Sequence, residues 1–342
     1  MIYFRSDYSQ GAHPKVMDAL VKTNFEHTDG YGLDEHCEHA AHMVQDLIDN
    51  HDCNVHMMVG GTPCNVTTIA ASLKPYESVV SVRGGHAYFH ETGAVEGTGH
   101  RIVTMEGANG KLTPEMIDQA WEEYEDEHTP IPKLCYISQP TEIGTIYSKA
   151  EMTALSEKCK AHNMLLYVDG ARLGCALTCR DNDLTIQELA TLCDAFYIGG
   201  TKNGALFGEA LVILNDTMND HFRWMIKRQC GLLAKGRLIG VQFEALLEGG
   251  MDSIYFSMAS HANEMAALLR SLTELGVPFF GSSQTNQIFP VLPTAVVKEL
   301  EKDFFFYEWA PEKNGMIPIR LVTAWGTTKD DVEAFLRTIK KL

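Results

Sequence analysis

The sequence predicts an α/β fold: a mostly parallel sheet with helices on both faces, joined to a smaller C-terminal α+β domain. Three observations carry this. Short apolar runs alternate with helix-length segments over residues 25–249, the pattern of buried parallel strands and their crossovers. Two of these runs, Met164–Val168 and Ala195–Ile198, end on polar residues: Asp169 within Tyr167–Gly174 (YVDGARLG) and Lys202 within Tyr197–Gly204 (YIGGTKNG). After Gly276-Val277-Pro278, short alternating strands mix with helices, which places a second domain over residues 250–342.

The elements follow in order. Residues 1–24 read as an arm and a helix, Pro14–Thr23, with proline where a missing N–H costs nothing. Asp29-Gly30-Tyr31-Gly32 is a loop, and a His- and Glu-rich helix runs from Leu33 to about Asn50. The strand Val55–Val59 turns at Gly60-Gly61-Thr62-Pro63 into a helix ending near Leu73. Ser78–Val82, Ile102–Met105 and Lys133–Ser138 are strands; Pro114–Asp126 and Lys149–His162 are helices, the first acidic and amphipathic. Beyond the two polar-ended strands, Leu211–Leu214 is expected antiparallel to the lysine strand, with helices over residues 216–248 and Ser257–Leu275. The C-terminal unit has strands Gln287–Val291, Phe304–Trp309 and Ile317–Thr323, and helices Thr294–Glu301 and Thr328–Lys340.

Composition narrows the function. At 342 residues, 45% hydrophobic and 21% charged, the chain is globular and long enough for a large core with a companion domain. A net charge of −17 argues against nucleic acid or an anionic membrane as partner, because both require clustered Lys and Arg. Nine scattered cysteines without a CxxC pair read as reduced thiols, so a cytoplasmic location is expected. The N-terminus lacks a basic-then-apolar leader pattern, and no run of about 18 apolar residues is present.

Chemistry concentrates at strand ends, where open α/β sheets place their sites. Gly60-Gly61-Thr62 between a strand and a helix suits an anion: glycines admit close approach, the helix N-terminus favours negative charge, and Thr62 adds a hydroxyl. Asp169 reads either as a helix cap or ion-pair partner of Arg172, or as a buried carboxylate facing a protonated ring nitrogen. Lys202, among Gly199, Gly200 and Gly204, reads as a lysine aimed into a crowded site, 33 residues after Asp169. His86 in Arg-Gly-Gly-His-Ala is a loop histidine, a plate for a flat cofactor, or a proton carrier. Arg320 at a strand end suits a carboxylate fork or a surface ion pair. His36, Cys37, His39 and His42 share a helix, but without HExxH or a second ligand cluster a solvated face is the reading taken, as for the acidic run Glu122–Glu127. No metal site is expected.

Taken together and in order, these motifs resemble the threonine aldolase/β-eliminating lyase group of pyridoxal phosphate enzymes, with the aspartate-aminotransferase-like fold and its seven-stranded sheet. Arg5-Ser6-Asp7, Asp29-Gly30-Tyr31-Gly32, Gly60–Asn65, His86 with Glu91–Ala94, Val168–Leu173, Thr201-Lys202, Lys235-Gly236-Arg237 and Arg320–Thr323 each match a family motif. The resemblance implies pyridoxal 5′-phosphate as cofactor, bonded to Lys202, with Asp169 on the ring nitrogen, His86 stacked on the ring and Arg172 near the phenolic oxygen. It implies Gly61, Thr62 and Arg237 at the phosphate, Ser6 and Arg320 at the substrate carboxylate, and Tyr31 lining the site from a neighbouring subunit. Two departures stand out. Gly60 replaces the usual serine, and in Gln139-Pro140-Thr141-Glu142 the family's Thr-His becomes Thr-Glu, which bears on recognition of a β-hydroxyl.

The implied function is cleavage of the Cα–Cβ bond of a β-hydroxy-α-amino acid, as in conversion of L-threonine or L-allo-threonine to glycine and acetaldehyde. The proton-accepting base is left open among His86, Glu142 and water. Other pyridoxal phosphate reactions (β-elimination, racemisation, transamination) and a non-catalytic member of the fold are the alternatives. A homodimer or homotetramer with sites at the subunit interface is expected, acting on a small amino-acid substrate.

Overall fold

A computed structural model describes residues 1–124 and 126–342. Its elements are β1 (Ile2–Tyr3), α1 (Pro14–Lys22), α2 (Glu35–Ile48), β2 (Asn54–Met58), α3 (Gly61–Ser72), β3 (Glu77–Val82), α4 (His86–Phe89), β4 (Ile102–Met105), α5 (Pro114–Glu122), β5 (Ile131–Ser138), α6 (Lys149–Ala161), β6 (Leu165–Asp169) and α7 (Leu173–Leu177). They continue with α8 (Ile186–Leu192), β7 (Ala195–Gly199), β8 (Glu209–Ile213), α9 (Phe222–Arg228), α10 (Arg237–Leu247), α11 (Ile254–Leu269), β9 (Gln287–Ile288), β10 (Val291–Pro293), α12 (Thr294–Leu300), β11 (Phe304–Phe305), β12 (Tyr307–Glu308), β13 (Met316–Val322) and α13 (Lys329–Ile339).

Seven strands form the central sheet in the order β2-β8-β7-β6-β5-β3-β4. Only β8 runs against its neighbours, pairing antiparallel with both β7 and β2, as expected for the segment after the lysine strand. The apolar runs are explained by burial on both faces. Along β5 and β6, Leu134, Tyr136, Leu165 and Tyr167 face one layer with α3 and α9. Cys135, Ile137, Leu166 and Val168 face the other, packed against α2, α5, α6, α8 and α10. Helix starts are written locally: capping boxes at Ser148/Glu151, Thr185/Glu188 and Thr328/Asp331 open α6, α8 and α13.

The structure adds detail to these expectations. The N-terminal arm carries a short strand: β1 pairs parallel with β11, and Phe4 packs on Phe304 and Phe335 in the core of the C-terminal unit. A two-residue strand carries no periodicity to read. The helical stretch over residues 216–248 divides into α9 and α10, broken where Cys230 takes φ = 61°. The acidic helix stops at Glu122; Glu125 of the acidic run lies outside the described residues. The C-terminal sheet is small, with β13 flanked by β10, β12 and β9.

The carboxyl ends of β5, β6 and β7 converge, held by close backbone approach. Gly199 N–H donates to Gly170 O at 3.1 Å. A Cβ on Gly170 would stand 1.7 Å from Tyr197 O. Gly170→Ala is therefore expected to cost about 2 kcal/mol or more of stability, the overpacking range, read as a lowered midpoint in denaturant unfolding.

Candidate active site

Asp169 ends β6 and is 3% exposed. Its Oδ2 accepts from Tyr136 Oη at 2.5 Å and Asn65 Nδ2 at 3.0 Å. Its Oδ1 accepts from Tyr197 Oη at 2.5 Å and Ala171 N–H at 3.0 Å. Burial pushes this carboxyl up, but the positive charge of His86 and these hydrogen bonds outweigh it and hold the group below its ordinary value. It is a fixed buried anion. The ion pair with Arg172 considered from sequence is not its partner set. Arg172 instead forks Asp7, with Nε to Oδ2 at 2.6 Å and Nη2 to Oδ1 at 3.0 Å. Asn286 Nδ2 adds a third bond to Asp7 at 3.0 Å.

Lys202 sits in the loop between β7 and β8. Glu209, the first residue of β8, braces that loop: it accepts from Gly200 N–H at 2.8 Å and Thr201 Oγ1 at 2.7 Å. Burial and then the charge of Arg172 draw the Lys202 ammonium below its ordinary value, against the pull of Asp7, Asp169 and Glu209. Burial pushes Glu209 up to about 7. Both shifts favour the uncharged amine, the form that attacks a carbonyl.

A cavity of about 750 Å³ opens over this loop, lined by Lys202, Arg172, His86, Glu142 and Arg320. His86 Nδ1 donates to Glu91 Oε1 at 2.9 Å. Burial pulls the imidazolium down, but Glu91 and Asp169 lift it above its ordinary value. Glu142 Oε1 accepts from Ser138 Oγ at 2.7 Å and from His86 N–H at 3.2 Å. Burial, reinforced by Asp169, raises its carboxyl. Arg320 stacks its guanidinium 5.0 Å from the Tyr307 ring centroid and 5.3 Å from that of Trp309. Gly61 and Thr62 open α3 with no side-chain cap, so their N–H groups are available to an anion. A Cβ on Gly61 would meet Tyr197 Oη at 2.9 Å, which ties this helix start to the Asp169 cluster.

Three expected residues are placed elsewhere in the chain. Ser6 exchanges a 2.8 Å bond with Ser9 Oγ and lines a separate hollow with Gln10 and Gly326. Tyr31 is exposed, its ring under Lys227 Nζ at 4.7 Å. Arg237 donates to Thr23 O at 2.7 Å and Asn24 O at 3.3 Å, closing the end of α1. On the His-rich helix, His36 bonds Glu26 and Glu244, and His39 bonds Glu244, each at 2.7 Å. Among the described residues, no group of three or more His, Cys, Asp or Glu is arranged to hold a metal ion.

The family profile described as beta-eliminating lyase matches residues 3–294. The chain belongs to this family. It is 31% identical to a low specificity L-threonine aldolase of a Pseudomonas species over 346 residues, covering 98% of this chain and 96% of that one. The solved threonine aldolase structure of Leishmania major superposes with a TM-score of 0.98 at 42% identity, over 100% of this chain and 99% of that one. An aspartate aminotransferase of Thermus thermophilus, 14% identical with a TM-score of 0.73 over 100% of this chain and 91% of that one, shares the fold.

Sequence reasoning missed several residues that surround Asp169 and Lys202 in this lyase. Tyr136 and Tyr197 sit inside apolar strands and read as core. Glu209 carried a usable signal, an acid opening a wholly buried strand.

The His86–Glu91 contact predicts a pH dependence. A folded-state value above 6.5 means the contact adds stability below pH 6.5, which is lost as pH rises through the folded value. In an NMR titration His86 is expected to titrate above 6.5, and Glu91→Gln to move that midpoint down.

Proposed function

We propose that this lyase uses pyridoxal 5′-phosphate to cleave the Cα–Cβ bond of a β-hydroxy-α-amino acid, with L-threonine and L-allo-threonine converted to glycine and acetaldehyde. One observation carries the reading: a single cavity presents an amine biased toward its neutral form, two arginines and a buried carboxyl of raised proton affinity. The donor set fits the cofactor. Lys202 suits its carbonyl carbon, the uncapped start of α3 at Gly61 and Thr62 its phosphate, and Asp169, held ionised, its ring nitrogen. When bound, the cofactor supplies an electron sink for the pair left at Cα.

The chain's own residues then do the following. Arg320, seated over the rings of Tyr307 and Trp309, forks the substrate carboxylate, and Arg172 adds positive charge to that end of the cavity. Glu142 Oε1 is occupied by Ser138 and His86 N–H, which leaves Oε2 to take the β-hydroxyl proton. A carboxylate whose proton affinity is raised is the better base, whereas His86 is shifted toward keeping its proton. As that proton leaves, the Cβ–O bond becomes a carbonyl and the Cα–Cβ pair passes to Cα; a proton returned to Cα gives glycine.

Tyr31 and Arg237, away from their own chain's cavity, support a homodimer or homotetramer in which they serve a neighbouring site. Eight buried thiols and the exposed Cys230, all unpaired, support a reducing, cytoplasmic setting. No helix among the described residues is long and apolar enough to cross a membrane.

Lys202→Ala is expected to abolish cofactor absorbance that survives gel filtration, and with it aldehyde release. Glu142→Gln is expected to lower kcat for threonine about 100-fold while leaving glycine affinity within twofold. Release of 2-oxobutyrate and ammonia from threonine, in place of glycine and acetaldehyde, would replace the retro-aldol reading with β-elimination.

A further inference from the structure

The small sheet presents one face to the cavity. Tyr307 pairs with Arg320, and Gln287 pairs with Val322, in antiparallel register. Arg320 and Val322 are two residues apart on β13, so Gln287, Arg320 and Tyr307 stand in a row on the same face. Gln287 lines the cavity and is 1% exposed. Neither its Nε2 nor its Oε1 has a hydrogen-bond partner among the described residues, and Arg320 Nε is likewise buried and unpartnered. Among the described residues, the one side-chain hydrogen bond of Arg320 is long, from Nη2 to Arg5 O at 3.4 Å. Buried amides are rarely left unpaired, because each orphaned atom costs free energy without return. Three such atoms beside one cavity mark a place where a ligand, by drawing the amide and the guanidinium together, completes the bonding.

We propose that Gln287 is a second carboxylate-binding residue, acting with Arg320. One arrangement satisfies all three atoms. Gln287 Oε1 accepts from Arg320 Nε–H, and Gln287 Nε2 donates beside the Arg320 Nη groups to the substrate α-carboxylate. The amide thus turns the arginine fork and adds a donor to it. Charge supports this assignment: an anion is the ligand that a guanidinium and an amide N–H share. This rests on the amino-acid lyase reading, but it concerns binding of the carboxylate and not the bond that breaks.

The test compares glycine with methylamine, which lacks the carboxylate, in spectral titrations of the cofactor-loaded protein. Gln287→Leu is expected to raise the glycine Kd about tenfold and leave that of methylamine within twofold. In steady state it raises KM with kcat little changed. The ligand-free variant should melt at or above the wild-type temperature, because leucine removes two unpaired buried atoms. Gln287→Glu is expected to weaken glycine more than Gln287→Leu does, through repulsion of the carboxylate. In cofactor-free protein, the rise in melting temperature with acetate should be smaller in both variants. Unchanged glycine binding, or equal weakening of glycine and methylamine, overturns the proposal. Absence of aldehyde release would defeat the retro-aldol reading alone, since the glycine–methylamine contrast does not depend on it.

Discussion

A carboxylate buried in a protein survives as an anion only if donors replace the water it has lost. Asp169 meets that condition with four, drawn from α3, β5, β7 and its own turn. The requirement constrains much of the fold. Tyr136 and Tyr197 reach Asp169 from the strands on either side of β6, so the registers of β5, β6 and β7 are coupled to one another. Asn65 reaches it from α3, whose opening turn is the anion cup, and also bonds Glu91, which holds His86. A shift in any of these elements would strand the charge.

A second network ties in the N-terminal segment. Asp7 follows β1 and joins Arg172, just past β6, to Asn286, just before β9. Burial opposes ionisation of Asp7, and the charge and hydrogen bonds of Arg172 hold it ionised all the same. Breaking such a buried pair by removing one partner is costly, because the survivor is left uncompensated. The N-terminal segment therefore serves as a latch between the large sheet and the small one, with Phe4 packed beside it in the small core.

Much of this was legible in the sequence, and the exceptions have physical causes. Asp169 and Lys202 stood out because a polar group directly after an apolar run marks the exposed edge of a buried strand. The antiparallel β8 was legible for the same reason of position, lying one tight loop after the lysine strand. Tyr136 and Tyr197 were not, since a hydroxyl on a core ring gives no pattern until its acceptor is known. Gln287 opens a run read as one strand that divides into β9 and β10, and which face it turns to the cavity depends on its pairing with β13. Ser6 lies beside Asp7 in sequence, yet its hydroxyl turns to Ser9, a rotamer choice that spacing does not determine. For Tyr31 and Arg237, a function in a neighbouring site depends on a second chain.

The two kinds of charged group differ in what they can do. Asp169, Asp7 and Arg172 are held by hydrogen bonds from within the protein, and their shifts all favour the charged form. They are fixtures of the field. Lys202 and Glu142 line the cavity with bonding capacity to spare, and their shifts favour the neutral form. Proton transfer requires groups of the second kind, because a proton held by several partners costs too much to move. The fixed anions and cations set the potential in which the mobile protons move. The charge of Asp169 helps to raise His86, after Glu91, and Glu142, after burial; that of Arg172 adds to burial in lowering Lys202. The reactivity of the amine and of the carboxyl thus follows first from burial and then from the same buried charges that hold the strands in register.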